Sequence, residues 1–239
     1  MPARVAYERL LFYGISDIDY VLLKKSYCLK AEGKFYEAFS TLQRADLFNV
    51  SDSLKAILYN EKALVSFLAG KSDLTLSILQ EFRYYFPGNS TPLSDALEIL
   101  ALNQQKKWVD AEKKFISFVE RYDINGSNLY NEGNLPRLKN PTKAETLSFI
   151  IPGSGQLYAG YPGQAFTSVL IQCGLVAFTV YSFVNGYYVS GAFTGVGLFS
   201  FFYNGGAGHA RELAEKRNTE QLLKFNEKVK TVLEKAIKK

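Results

Sequence analysis

The chain has 239 residues, a formal net charge of +5 and a pI near 9.0, with 47% hydrophobic and 21% charged residues. That length suggests one or two domains, and a mild basic excess dispersed among Glu and Asp reads as solvated helix faces, not as a nucleic-acid surface. Two cysteines, Cys28 and Cys173, and the single histidine His209 leave no disulfide framework and no metal-ligand spacing. The averages also conceal a division. From Thr146 to Ala210 there is no Asp, Glu, Lys or Arg. Such a stretch is too long for one buried helix and suits two bilayer crossings, at ~20 apolar residues per helical pass.

In chain order, the first residues, MPARVAYERLLFYG, do not read as a signal peptide, because Glu8 interrupts the apolar run. Helices are expected at about 4–14, 18–32, 35–48, 52–69, 72–86, 92–105 and 108–122, from apolar spacing of three and four residues. Breaks are expected at Gly14-Ile15-Ser16-Asp17, Gly33, Asn49 to Asp52, Gly70, Pro87-Gly88-Asn89 and Asn125-Gly126. Asp17, Ser51 and Thr91 are the candidate N-caps.

Within this region three segments align: AEGKFYEAFSTLQRA (Ala31 to Ala45), LAGKSDLTLSILQEF (Leu68 to Phe82) and Lys106 to Phe118. Ala38, Thr75 and Ala111 share the small position, and Leu42, Leu79 and Phe115 follow four residues later. The pattern resembles the tetratricopeptide repeat, a helix-turn-helix unit of about 34 residues. The matching residues are Gly33, Phe35, Ala38 and Ala45, then Gly70 and Pro87, then Trp108 and Ala111. The match is degenerate: the period runs two or three residues long, and Lys106 stands where the turn glycine belongs. The resemblance implies a helical surface for a protein or peptide partner. Tyr36, Tyr84, Tyr85 and Trp108 are the candidate partner contacts, although each fits a core position as well.

The expected domains are repeats over 1–123, a linker over 124–145 rich in Asn, Gly and Pro, a membrane hairpin over 146–210 preceded by a broken or re-entrant segment, and an amphipathic helix over 211–239. Leu147 to Gly163 contains Pro152-Gly153 and Pro162-Gly163, which predict a short lead-in helix, a break and a turn. Gln164 to Val184 is the first expected crossing, Asn185-Gly186 the turn, and Tyr187 to Tyr203 the second, ended by Asn204-Gly205-Gly206. Tyr158, Tyr161, Tyr187, Tyr188 and Tyr203 fall at the expected interfaces. Gly191 and Gly195 offer close helix packing, either within the hairpin or between two copies of the chain in a homo-oligomer. Leu222, Phe225, Val229, Val232, Leu233 and Ala236 give the last helix an apolar stripe, suited to packing on the repeats or to the membrane surface. The tail ends in Lys235, Lys238 and Lys239.

The segment PGSGQLYAG resembles the Pro-Gly-x-Gly-Gln-x-Tyr-x-Gly motif of small bacterial two-helix membrane domains, through Pro152, Gly153, Gly155, Gln156, Tyr158 and Gly160. Repeats followed by this hairpin resemble an uncharacterised membrane protein family in Bacteroidetes and related bacteria. The resemblance implies an inner-membrane protein of the bacterial envelope, with the repeats in the periplasm. The flanking charges Arg137, Lys139, Lys143, Arg211, Lys216 and Arg217 instead favour the cytoplasm.

Nothing in the sequence assembles a catalytic set. His209 has Glu212 and Glu215 nearby but no nucleophile, Gly153-Ser154-Gly155 lacks the Gly-Lys-Ser/Thr ending of a phosphate loop, and Cys173 reads as a small apolar residue. No cofactor and no enzymatic activity are expected. Gln156 is the polar side chain to watch, either capping broken backbone near Pro152 or lining a small polar passage. The composite expectation is an all-α membrane-anchored scaffold. The alternative is an oligomerising hairpin that handles lipid or a small solute.

Overall fold

The computed structural model describes residues 2–14, 17–124, 128–131 and 133–237. Those residues are all-helical, with no strand among them. Ile15, Ser16, Asn125, Gly126, Lys238 and Lys239, named above for breaks and for the tail, lie outside the described residues. The chain divides into two compact units, one of Met1–Asn134 with Asn226–Lys239, the other of Leu135–Phe225.

The first unit contains α1 (Pro2–Tyr13), α2 (Ile18–Ala31), α3 (Phe35–Gln43), α4 (Asp52–Leu68), α5 (Ser72–Tyr85), α6 (Pro92–Gln104) and α7 (Trp108–Arg121), each packed on its neighbours in sequence. Three of its turns are the same. Gly33, Gly70 and Lys106 take φ of 75°, 74° and 60°. In each, the residue's own N–H reaches the carbonyl three residues back, and the next N–H reaches the carbonyl five residues back, as in Lys34 to Leu29, Lys71 to Ser66 and Lys107 to Leu102. This closes the preceding helix with a left-handed cap, and the next helix begins one residue later. Lys106 therefore adopts the glycine conformation despite its Cβ. The same cap ends helices elsewhere, at Gly160 and Gly186, so the turn alone does not mark a repeat. Ala38, Thr75 and Ala111 are fully buried, as are Leu42, Leu79 and Phe115. The polar member, Thr75, is satisfied by the Lys71 carbonyl at 3.0 Å and the Ser66 hydroxyl at 2.8 Å.

Three details differ from the sequence expectation. Helix α3 stops at Gln43 instead of near residue 48. Asp46 is the reason: its carboxylate accepts from the Phe48 N–H at 2.9 Å and the Asn49 side chain at 2.6 Å, while its own N–H donates to Asp19, a local alternative to helix. Ser51 and Thr91 cap α4 and α6, Thr91 in a reciprocal box with Ser94, whereas Asp17 sits at the α2 N-cap without a side-chain bond. Finally, the 124–145 segment is not all loose linker. Tyr130 is buried, packs at a tilt against Phe115 with ring centres 5.4 Å apart, and donates to Asn103 Oδ1 at 3.0 Å. Its burial pushes the phenol pKa upward.

The second unit contains α8 (Pro141–Ile150), α9 (Ser154–Ala159), α10 (Pro162–Val184), the short α11 (Tyr188–Ser190), a π-helical segment Gly191–Gly197, and the first part of α12 (Leu198–Ile237). Asn140 caps α8 by accepting from the Lys143 N–H, with Pro141 at the first helical position, so this helix starts ahead of the uncharged stretch. Helix α10 is long and apolar enough to span a membrane, and only 11% of its most apolar window is buried within the protein. A core helix of that hydropathy would be mostly enclosed.

Asn204-Gly205-Gly206 does not end a helix, contrary to expectation: α12 runs through it. Neither glycine takes a positive φ. Instead Gly206 is a contact point, where an added Cβ would lie 3.4 Å from Ser168 Oγ and 3.6 Å from Gln172 Nε2. The expected second crossing is likewise not one uniform helix, because its hydrogen bonding passes from α through π to α between Tyr188 and Tyr203. From Asn226 onward α12 groups with the first unit and buries Val229, Leu233 and Ala236.

Candidate functional site

The PGSGQLYAG segment forms the junction between α8, α9 and α10, and two of its glycines, Gly153 and Gly155, sit against backbone. A Cβ at Gly155 would lie 1.9 Å from the Ala144 carbonyl oxygen. Gly153 has φ 88°, and a Cβ there would lie 2.8 Å from the Ala165 carbonyl oxygen. Gly160, at φ 92°, reverses the chain into α10. Pro152 stands in the break after α8.

Gln156 is fully buried and links separate helices. Its Oε1 accepts from the Ser148 hydroxyl at 2.8 Å, and its Nε2 donates to the Gly206 carbonyl of α12 at 2.8 Å. The Ser148 hydroxyl in turn accepts from the Gly155 N–H at 3.1 Å. The capping role near Pro152 that the sequence offered for Gln156 belongs to Ser154, whose hydroxyl points at the Leu147 and Ile151 carbonyls at 2.6 and 2.7 Å. Both carbonyls also accept a backbone N–H, Leu147 from Ile151 and Ile151 from Ser154, so the hydroxyl adds a second partner at the helix end, where a short side chain beside the break reaches better than a long amide. Tyr158 accepts from the Asn140 N–H at 3.2 Å, with Lys139 and Lys143 ammonium groups 4.9 and 5.5 Å from its ring centre.

Gly191 and Gly195 are buried against α10. A Cβ at Gly195 would lie 2.3 Å from Thr179 Oγ1, and one at Gly191 would lie 3.1 Å from the Phe183 ring. His209 Nε2 lies 2.7 Å from Gln164 Oε1, a partner the sequence did not suggest.

In the first unit, Tyr36 and Tyr84 are exposed, Tyr84 by 80%, and Trp108 is half-buried. Tyr85 is partly enclosed by Tyr59, stacked at 6.1 Å, and by the Lys55 ammonium 4.2 Å over its ring. The sequence reading missed a groove of about 650 Å³ between α5, α6 and α7. Four cations line it, Arg83, Lys113, Lys114 and Arg121, against two carboxylates, Asp95 and Glu98. Both carboxylates are engaged. Arg83 holds Glu98 in a two-pronged contact, 2.8 Å on one arm, Lys114 reaches Glu98 at 3.3 Å, and Arg121 reaches Asp95 at 3.0 Å. Burial works against the Arg83 charge, but the Glu98 and Asp95 carboxylates outweigh it and hold its pKa above the ordinary value. Lys113 has no ion pair among the described residues. Only a three-dimensional juxtaposition makes this groove, since its charges come from helices that are unremarkable one at a time.

Compared with family models, with curated proteins and with solved structures, the chain matches none.

Proposed function

We propose that the chain is a membrane-anchored scaffold of the bacterial envelope, in which degenerate tetratricopeptide-like helix pairs present a groove to an acidic peptide segment and a two-helix hairpin holds them at the bilayer. The observation that carries this reading is the α5–α7 groove, whose carboxylates are consumed by internal pairs while cationic charge is left over at its wall. An extended chain bearing Asp or Glu complements it, and such complementarity sets specificity and on-rate. The equivalent buried positions of the three helix pairs support the repeat assignment. Helix α10, uncharged and poorly covered by protein, supports the anchor, with Tyr188 to Tyr203 returning as the second pass.

Two experiments test it. A labelled Glu-rich peptide titrated onto the detergent-solubilised full chain binds in a salt-sensitive manner, and Lys113→Glu weakens it at least fivefold; a wild-type chain indifferent to acidic peptides overturns the groove assignment. Fractionation by ultracentrifugation leaves the chain in the membrane pellet; folded protein in a surfactant-free supernatant overturns the anchor. In this reading the repeats face the periplasm, and an N-terminal reporter active only in the cytoplasm reverses that orientation.

A further inference from the structure

The second unit holds a cleft of about 320 Å³ whose floor is made of neutral polar groups. On α10, Gln164, Ser168 and Gln172 recur every four residues and so share one face. Gly205, Gly206 and His209 face the cleft from α12, and Gln156 from α9. Gln172 is only 5% exposed, and among the described residues its Oε1 has no hydrogen-bond partner. Its Nε2 makes one long contact, 3.4 Å to Ser168 Oγ. A buried amide oxygen left unpaired is costly and calls for a donor. The glycine at 206 keeps space open beside it, since any side chain there would press toward Ser168 and Gln172.

The lining also says what kind of donor is suited. It contains no Lys, Arg, Asp or Glu, and its one titratable side chain, His209, is taken up by Gln164 Oε1 at 2.7 Å, so neither a phosphate nor an ammonium head group would find a free counter-charge in a poorly hydrated site. The rim is apolar: Phe201 is 71% exposed, and Phe202 and Ile171 stand beside it. An occupant with a neutral hydroxyl at one end and hydrocarbon at the other satisfies both features.

We propose that this cleft binds the uncharged polar end of an amphiphile of the diacylglycerol class, with a hydroxyl donating to Gln172 Oε1 and the acyl chains leaving past Phe201 and Phe202. The site is independent of the peptide groove, so either assignment can fail without the other.

The test is native mass spectrometry of the full chain in mild detergent, titrated with dioleoylglycerol and, in parallel, with dioleoylphosphatidylglycerol. A dioleoylglycerol adduct is expected, with affinity reduced about fivefold to tenfold in Gln172→Leu, the worth of one hydrogen bond. Gly206→Ala narrows the floor and weakens the same adduct. Gln172→Leu removes the unpaired oxygen, so its melting temperature in detergent equals or exceeds the wild type, which separates loss of binding from loss of fold. Absence of the adduct, equal binding by wild type and Gln172→Leu, or a Gln172-dependent preference for the anionic lipid overturns the proposal.

Discussion

The two units differ in the charge of the polar side chains they bury. The first buries ionic groups beside neutral hydroxyls and amides: Lys30 meets Glu61 at 2.5 Å, Lys25 meets Glu8 at 2.8 Å, and Glu98 collects Arg83 and Lys114. In the second the deeply buried polar groups, Ser148, Gln156, Gln172 and Ser182, are neutral. Two of them lean on backbone: Gln156 donates to the Gly206 carbonyl, and Ser148 accepts from the Gly155 N–H. A long charged side chain can pair inside and keep its head near water, so ion pairs are tolerable at the edge of a water-facing helical array. In hydrocarbon a charge at mid-depth costs about 2.5–3.5 kcal/mol even on the lenient insertion scale, while unmet backbone groups still need partners. Neutral amides and hydroxyls supply them without that cost. The contrast in polar chemistry thus parallels the contrast in charge along the chain.

The sharpest way to break the comparison is at Gly155. Replacing it by Ala drives a Cβ into the Ala144 backbone, which no side-chain rotation relieves. We expect a loss of about 3 kcal/mol or more, seen as early protease cleavage between α8 and α10, while the first unit keeps its own resistance. A charge exchange comes next. Gln156→Glu sets a carboxylate, which cannot donate, against the Gly206 carbonyl that the Gln156 amide donates to, with an expected cost of about 3 kcal/mol in detergent melts. The converse change in the first unit, Glu98→Gln, weakens the hold on the partly exposed Arg83 and costs about 1 kcal/mol after allowance for solvent screening. Equal costs at the two sites would refute the distinction drawn between the units.

Smaller again is the turn effect. Lys106→Gly relieves a left-handed residue and stabilises by about 1 kcal/mol, whereas Gly33→Ala and Gly70→Ala lose a similar amount. Nothing lies within 4 Å of a Cβ at Gly33 or Gly70, so chemical denaturation would report backbone strain alone. The smallest effect concerns pH. Lys62 is buried in α4, and burial lowers its pKa below 10.5 despite attraction from Glu81 and Asp19. A lowered lysine means the unfolded chain binds the extra proton, so this group's contribution to stability improves as pH rises from the folded value toward 10.5. Lys62→Met removes that dependence. Its advantage over wild type at neutral pH should shrink across the alkaline range when denaturation midpoints are compared.

Several elements were readable from residue order because their causes are local. Gly33 and Gly70 stop helices through φ, Thr91 starts one, and Ala38, Thr75 and Ala111 each follow the turn residue at the same short offset. The failures share a different cause. Gly205-Gly206 looks like a stop by composition, yet α12 runs through it and Gly206 is a contact point for side chains of α9 and α10. Asp46 could extend α3, but its carboxylate is drawn to Phe48 and Asn49. Gln156 was visible as an unusual residue; its partners, eight and fifty residues away, were not.

Charge, hydropathy and glycine placement along the chain determined the helical class, the division into a charged and an uncharged part, and the positions of most turns, since these depend on propensity and solvation over a few neighbouring residues. The tertiary structure alone decided which polar groups meet, that Ser154 and not Gln156 covers the end of α8, that Gln172 is left with an unpaired oxygen beside a cleft, and that Lys113 is left over in a groove. Hydrogen bonds and cavities arise from distances between residues far apart in sequence, which no local pattern encodes.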